Sequence, residues 1–322
     1  MRFAYQSLPG EPDKLCDLVA AGIVDEYLRR DPETRIRCLV SGGHGALFIT
    51  GELLTSADFD VSQLVLRLLA TNGVYQGIEP FVALEPVPSA RVGQFRQPCV
   101  EPIMLTGYAT NETYSGLPAA VQLARDAAKL LDDKRINDPD WFWLGPAGSV
   151  TVSGEKKIDE VIVQVDHGTK DLSEVRDRIE LLMAQAGQSM GEVIVKTNPL
   201  GPRDLSGLES FVGYSSAPWH PYGSMLPSLP SMAGHDPRHV NVAGQLLAHR
   251  AATELLKQTR SQAVMVQLMY GPGDLSPLRI SARDERGKDL TENCLKFDLH
   301  LEHGLADWLI PGRVTEMVKW GF

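Results

Sequence analysis

The feature that most constrains the fold is a unit of two strand-like segments and one helix-like segment that occurs three times. The first unit has β-like residues at 37–54, with a helix after a Ser56–Asp58 start. The second has strand-like segments at 149–152 and 158–167, and a helix that we expect Ser173 to cap and Gly187 to end.

The third unit reverses the order, with a helix at about 240–258 before strand-like segments at 263–271 and 277–284. The three units share no detectable sequence identity. Paired strands with a covering helix, repeated in this way, predict an α+β fold in which helices cover antiparallel sheets.

Composition and charge exclude several classes of protein. The 322 residues carry a net charge of −10, with no long run of like charges, so a broad nucleic-acid-binding surface is not expected. No apolar stretch reaches the ~18 residues of a membrane span, and the polar N-terminus does not resemble a signal peptide. The four cysteines are far apart, which argues against a disulfide framework. We therefore expect a cytoplasmic protein that binds neither nucleic acid nor membrane.

Two motifs carry a family resemblance, SLPGEPDKLCD at 7–17 and GYATNET at 107–113. Weaker matches follow in the same order along the chain: GELLTSAD, IDEVIVQVDH, NPLG, AGHDPRHVN and VQLMYGPGDLSPL. Together they resemble the methionine adenosyltransferases, also called S-adenosylmethionine synthetases. The resemblance implies three similar subdomains of mixed or antiparallel sheets covered by helices around a pseudo-threefold axis. The expected subdomains are 1–100, interleaved with the C-terminal part, then 101–195, and 196–322 with a Pro-rich loop at 199–237.

In the family, methionine sulfur attacks C5′ of ATP and expels the triphosphate, so the site needs fixed cations and Mg²⁺ where negative charge develops. Several of these positions are changed in this chain. Glu11 stands where the family has its catalytic histidine, and Lys14 is retained. His235 and His239 replace two lysines, and neutral imidazoles do not supply permanent charge at pH 7. The resemblance makes Glu11, Lys14, His235 and His239 the candidate catalytic residues.

The metal site is also reduced. Asp13 matches one metal-binding aspartate of the family, and Asn241 replaces the second. Mg²⁺ therefore stays an open alternative with Asp13 as its candidate ligand, and no organic cofactor is expected. The spacing of His235 and His239 also allows a metal pair, but no third ligand is evident in the sequence.

Other candidate residues concern the substrate. Glu52 matches the glutamate that receives the methionine ammonium group in the family, and Glu101 replaces an aspartate. Asn111 belongs to the GYATNET motif, whose small residues are equally consistent with close packing. His220 lies in the Pro-rich loop, which is either a rebuilt substrate loop or a proline-stiffened cover. Together with Asn241 these are the candidate substrate-binding residues, for S-adenosylmethionine or an ATP- or methionine-like ligand.

Three functional hypotheses follow. The first is an enzyme that acts on an adenosyl or S-adenosylmethionine-type ligand without efficient triphosphate chemistry. The second is a non-catalytic subunit that forms a hetero-oligomer with an active synthetase. The third is a functional synthetase that compensates for the missing cations with residues of a partner subunit or of the 199–237 loop, with Lys196, Arg203 and Arg238 as the nearest candidates. The family resemblance implies a homodimer or a dimer of dimers, with a small-molecule substrate bound at the subunit interface.

Overall fold

The computed structural model describes residues 2–75, 77–155, 157–186, 193–203, 212–303 and 312–322. The strands are β1 (Arg2–Ser7), β2 (Arg35–Gly43), β3 (Ala46–Leu54), β4 (Glu79–Pro86), β5 (Ile103–Thr110), β6 (Gly148–Gly154), β7 (Glu160–Val165), β8 (Ile194–Thr197), β9 (Gly213–Tyr214), β10 (Ala263–Tyr270) and β11 (Arg279–Asp284). The helices are α1 (Pro12–Arg30), α2 (Val61–Thr71), α3 (Val92–Phe95), α4 (Ala119–Asn137), α5 (Leu172–Ala186), α6 (Val240–Thr259), α7 (Thr291–Cys294) and α8 (Arg313–Trp320).

Within these ranges the strands form three sheets, ordered β1-β6-β7-β8, β4-β3-β2-β9 and β11-β10-β5. Most neighbouring strands are antiparallel, while β3 pairs with β4, and β7 with β8, in parallel. The predicted α+β fold with three mixed or antiparallel sheets is confirmed. The N-terminal strand β1 lies in the sheet of β6 and β7, so the chain is interleaved, and the subdomain limits stay a prediction.

Helix α1 forms because apolar side chains recur at helical spacing, and Leu15, Val19 and Ile23 on that stripe are fully buried. Its neighbours include α2 and α8. The helix ends at Arg30, before Asp31 and Pro32, as the sequence predicts. Because α1 is packed over most of its length, the loop before it is held in a fixed position.

The structure corrects two predicted helix starts. Helix α2 is capped by Asp60, whose Oδ1 accepts the amide of Gln63, and not by the Ser56–Asp58 segment. The N-terminal amides of α5 at Ser173 and Glu174 donate to the side chain of Asp171, so Asp171 replaces Ser173 as the cap. In both cases a carboxylate just before the first turn satisfies free amides. Gly187, the predicted end of α5, lies outside the described residues.

The GYATNET segment supplies the second half of β5, which lies against α6. Gly107 sits where this strand approaches the helix most closely, and a Cβ there would collide with the backbone carbonyl of Ala248. Glycine is therefore required at this position for packing.

The part of the Pro-rich loop that the structure describes, 199–203 and 212–237, contains only the short strand β9 and one 3₁₀ turn at Gly223–Met225. No helix in the described ranges is long and apolar enough to cross a membrane.

Candidate functional site

The loop between β1 and α1 places Glu11 directly before the first helical residue, Pro12. Glu11 occupies the N-cap position, yet its carboxylate does not cap the helix. Instead it accepts two hydrogen bonds from Nη2 of Arg203, at 3.0 and 2.8 Å. The sequence-predicted catalytic position is thus occupied by an internal ion pair.

Arg203 has a second carboxylate neighbour, because its Nε lies 3.4 Å from Oδ1 of Asp166. Its backbone amide donates to Nε2 of His167 at 3.2 Å. The Arg203 side chain is only 13% exposed. The cation that could have compensated for the missing lysines is therefore balanced by carboxylates of this chain.

The ammonium group of Lys14 also has a protein partner. Nζ donates to the backbone carbonyl of Val318, near the C-terminal end of α8, at 2.7 Å. Burial lowers the pKa of Lys14, and the nearby Asp17 carboxylate counteracts part of this effect. Lys14 thus holds the C-terminal helix against α1.

Asp13 and Asp17 lie on the same helix, near its start. Oδ1 of Asp13 accepts the amide of Tyr214 at 3.0 Å, and Oδ1 of Asp17 accepts the amide of Ser216 at 3.1 Å. Burial raises the pKa of Asp17 to about 6, although Lys14 opposes the rise. Asp17 is a candidate residue that we did not select from the sequence, although it is the last residue of PDKLCD.

These residues border a cavity of about 310 Å³, which we name the α1 cavity. Its lining includes Tyr5, Glu11, Asp13, Lys14, Asp17, Arg125, Trp219, His220, Trp320 and Phe322. His220 is exposed at this cavity. Four of the predicted site residues, Glu11, Asp13, Lys14 and His220, are therefore brought together.

A second group of predicted residues lies at the start of α6. The imidazole rings of His235 and His239 have centroids 4.2 Å apart. Nδ1 of His235 is 3.1 Å from the carbonyl of Ala233, whereas Nδ1 of His239 accepts the amide of Asn241 and caps α6. His235 must therefore donate through Nδ1, and His239 must carry its proton on Nε2.

Both histidines are neutral near pH 7. Burial and, to a smaller extent, the positive charge of Arg37 lower the pKa of His235 to about 4, although the hydrogen bond to the Ala233 carbonyl opposes the fall. Burial, His235 and Arg37 lower the pKa of His239 well below its usual value. This agrees with the sequence argument that the two imidazoles do not replace the charge of two lysines.

Arg37, which the sequence argument missed, stands beside this histidine pair. It lies on β2, in register with Glu52 on β3. Its guanidinium covers the ring of Phe95 at 4.8 Å and donates to the carbonyl of Gln97 at 3.4 Å. The alternation of β2 was the available signal, because Ile36, Cys38 and Val40 are buried and the residues between them face outward.

Glu52 is held by another arginine that we did not predict. Arg91 donates to both carboxylate oxygens of Glu52, at 2.5 and 3.0 Å. We name the group of His235, His239, Arg37, Glu52 and Arg91 the histidine cluster. It shares no residue with the lining of the α1 cavity.

The remaining predicted residues have no described side-chain hydrogen bond. Glu101 is exposed, and its backbone carbonyl accepts from Sγ of Cys99. Asn111 is exposed after β5, and its amide donates to Gln262. Asn241 is in the first turn of α6, next to the histidine cluster.

The donor set does not fit a magnesium ion within one chain. Asp13 contributes one carboxylate beside the α1 cavity, whereas Asn241 is an amide in the other group of residues. Among the described residues, no three histidine, cysteine, aspartate or glutamate side chains are arranged to hold a metal. No chemical step below depends on a metal ion.

Each of the three sheets is covered by helices, which defines an α+β protein. A model of the S-adenosylmethionine synthetase N-terminal domain matches residues 5–81. The S-adenosylmethionine synthase of Clostridium tetani (strain Massachusetts / E88) is 25% identical over 319 residues, covering 84% of this chain and 79% of that protein.

The S-adenosylmethionine synthase of Petrotoga mobilis (strain DSM 10674 / SJ95) is 26% identical over 331 residues, covering 87% and 81% of the two chains. That of Mesoplasma florum (strain ATCC 33453 / NBRC 100688 / NCTC 11704 / L1) is 24% identical over 308 residues, covering 84% and 79%. The N-terminal part of this chain thus resembles the S-adenosylmethionine synthetase N-terminal domain, and most of its length is similar to S-adenosylmethionine synthases, in agreement with the resemblance drawn from its motifs.

Proposed function

We propose that this chain binds an S-adenosylmethionine-type adenosyl ligand and acts on it without efficient release of triphosphate from ATP. Similarity to proteins that bear the name S-adenosylmethionine synthase supports the ligand class. The basic side chains near the site already have hydrogen-bond or ion-pair partners in this chain, which supports the altered chemistry. On this proposal the chain is a divergent member of its family.

The observation that carries the proposal is that the cations of the α1 cavity already have protein partners. Lys14 donates to the Val318 carbonyl, and the nearby Arg203 is paired with Glu11. A triphosphate leaving group needs positive charge that is fixed in place and available where its own charge develops. Loss of one such contact typically costs about 2–4 kcal/mol at the transition state, so several losses together strongly slow this step.

The histidine cluster supports the same conclusion by a different route. Its two imidazoles are neutral near pH 7, because their pKa values are lowered by burial. Of its two arginines, Arg91 is paired with Glu52. Arg238, another candidate for compensation, is buried and donates to the carbonyl of Pro32. These contacts leave little permanent positive charge that is available to bind a polyphosphate.

We further propose that the complete site forms between two copies of the chain. The α1 cavity and the histidine cluster are separate within one chain, and the sheet β4-β3-β2-β9 presents an apolar outer face. Leu39, Phe48 and Phe81 on this face are 45–53% exposed, and the two phenylalanine rings stack with centroids 5.2 Å apart. An exposed apolar face of this kind favours association. We expect a homodimer or a dimer of dimers.

The proposal is tested by titrating the purified chain with S-adenosylmethionine, ATP and methionine in a calorimeter, and by assaying S-adenosylmethionine formation from ATP and methionine. We expect tighter binding of the sulfonium compound than of ATP, and very slow synthesis. Synthesis at a rate comparable to that of an ordinary synthetase, assayed in parallel, would refute the proposal.

The exposed sheet also fits a second candidate function, a non-catalytic subunit of an active synthetase. A native mass measurement, with the chain alone and mixed with a related active synthetase, separates the two. A homodimer that binds the sulfonium ligand and does not exchange subunits favours the first proposal. A mixed oligomer without ligand binding favours the second.

A further inference from the structure

The α1 cavity has two chemically different walls. One wall carries the carboxylates of Asp13 and Asp17, on the first turns of α1. The other carries aromatic rings, among them Trp219 and Phe322, whose centroids are 5.0 Å apart with planes inclined by 51°. Aromatic faces and carboxylates are the two kinds of group that attract an organic cation.

The carboxylates are only partly satisfied within the chain. Among the described residues, Oδ1 of Asp13 accepts from Tyr214, and Oδ1 of Asp17 accepts from Ser216 and, weakly, from Ser231. No described hydrogen bond reaches the Oδ2 atom of either residue, and neither atom is among the buried polar atoms without a partner. Both Oδ2 atoms are therefore accessible and able to accept a further contact.

The basic side chains of the cavity, in contrast, have protein acceptors. Lys14 donates to the Val318 carbonyl, and Arg125 donates to the Phe322 carbonyl and to Oε1 of Gln122. Each of these cations therefore donates within the chain, whereas the Oδ2 atoms of Asp13 and Asp17 stay open to a positive group of a ligand. The high pKa of Asp17, about 6, fits this interpretation, because burial disfavours its negative charge and a bound cation would restore it.

Trp320, a third aromatic residue of the lining, already receives positive groups of this chain. The ammonium groups of Lys319 and Lys129 lie 5.1 and 5.6 Å from its ring centroid. Phe322 stacks on His249 with one face, at a centroid distance of 4.3 Å. This leaves the Trp219 ring and the other face of Phe322 for a ligand. A volume of about 310 Å³ is at the small end of ligand sites, so it suits a small cation or one part of a larger molecule.

We propose that the α1 cavity binds a small organic cation, an ammonium or sulfonium group, between the carboxylates of Asp13 and Asp17 and the rings of Trp219 and Phe322. The inference rests on the proposed function only where S-adenosylmethionine is taken as the source of the cation. A polyphosphate is the opposite class of ligand, and the cavity disfavours it.

The experiment uses the full chain and ligand-observed NMR titrations with trimethylsulfonium, followed by calorimetry with S-adenosylmethionine and with its neutral thioether, S-adenosylhomocysteine. Trimethylsulfonium is expected to bind the wild type and to weaken roughly 10-fold in Asp17→Asn, which removes a charge and keeps the shape. Trp219→Leu should weaken binding about 3- to 30-fold, and Trp219→Phe should retain most of it. Asp58→Asn, at an exposed aspartate outside the cavity lining, is the matched control.

The outcomes separate this inference from the proposed function. If trimethylsulfonium does not bind, or binds Asp17→Asn and Asp58→Asn equally, the inference is overturned even where S-adenosylmethionine binds. If trimethylsulfonium binds as expected and neither adenosyl compound does, the inference stands and the proposed function fails. If Trp219→Leu does not fold, the comparison of Asp17→Asn with the wild type still decides.

Discussion

The α1 cavity and the histidine cluster each contain a glutamate that is paired with an arginine, but the two pairs differ in exposure. At the cavity, Arg203 and Glu11 have side chains 13% and 23% exposed. At the cluster, Arg91 and Glu52 are 52% and 33% exposed. The same chemistry therefore has different consequences. Breaking the less exposed pair leaves an unpaired charge and costs stability, whereas the exposed pair contributes little, so we expect a ligand to displace Arg91 from Glu52.

Under the proposed function, the difference also predicts where a changed pocket keeps its capacity to bind a ligand. Near the cavity, the Pro-rich segment brings Arg203 to Glu11, so the charge introduced at Glu11 is balanced inside the chain. At the histidine cluster, Arg91 at the end of the short 3₁₀ turn before α3 pairs with the Glu52 carboxylate. We expect substitutions at the first pair to change stability and those at the second to change affinity.

The largest effect is expected for Arg203→Met. Loss of the guanidinium leaves the partly buried Glu11 carboxylate without its partner, which should lower the free energy of unfolding by about 2–4 kcal/mol. Urea denaturation measures the change. The double variant Glu11→Gln with Arg203→Met should recover part of the loss, because residue 11 then carries no charge, and only part because Asp166 still lacks its contact with Arg203. A change below about 0.5 kcal/mol in Arg203→Met would contradict the structural role of this pair.

An intermediate effect is expected from the pH dependence of the histidine cluster. The folded chain keeps the pKa of His235 near 4, while the unfolded chain has an ordinary value of about 6.5. The unfolded state therefore binds a proton that the folded state rejects. The contribution of neutral His235 to the free energy of unfolding is fully present above about pH 6.5 and is lost as the pH falls toward 4.

The measurement is the difference in unfolding free energy between wild type and His235→Gln across this range. The difference should shrink by about 1–3 kcal/mol between pH 7 and pH 4. Asp17 acts in the opposite direction, because its pKa is raised to about 6 and its contribution to the free energy of unfolding falls as the pH rises toward that value. Since Asp17 is present in both proteins, this effect cancels in the difference. His44→Asn is the control, because His44 is exposed and has a φ of 52° that asparagine tolerates. A constant difference between wild type and His235→Gln would mean that His235 titrates normally in the folded chain.

The fold was predictable where local periodicity is strong. The buried stripe of α1 and the alternation of β6 and β7 follow directly from the spacing of apolar residues. Strand β5 was not predicted, because Gly107 and Ala109 on its buried face are small residues packed against α6, and they give no apolar alternation in the sequence. Helix α8 was also missed, since its position depends on contacts with α1.

The candidate site was only half predictable. Glu11, Asp13 and Lys14 are consecutive or nearly so, and their shared position at the start of a helix could be derived from the sequence. The partner of Lys14 could not, because Val318 is 304 residues away and offers a backbone carbonyl. The same holds for Glu11 and Arg203, which are 192 residues apart. Pairings of this length depend on the tertiary fold.

The smallest effect on stability, and the clearest on binding, is expected for Arg91→Ala. The exposed pair with Glu52 contributes about 1 kcal/mol or less, so the unfolding free energy should hardly change. Removing Arg91 frees Glu52 to receive the ammonium group of S-adenosylmethionine, and the affinity should rise about 2- to 5-fold, which is the same energy expressed in binding. Methylthioadenosine, which lacks the ammonium group, should bind equally to both proteins.

Arg96→Ala provides the matched control for Arg91→Ala, because Arg96 is an exposed arginine that follows α3. Adding Glu52→Gln to Arg91→Ala should abolish the gain in affinity, since the amide carries no charge for the ammonium group. If Arg91→Ala instead weakens the binding of S-adenosylmethionine, then Arg91 contacts the ligand itself. The exposed pair would then be part of the binding site, and its replacement by a ligand would be ruled out.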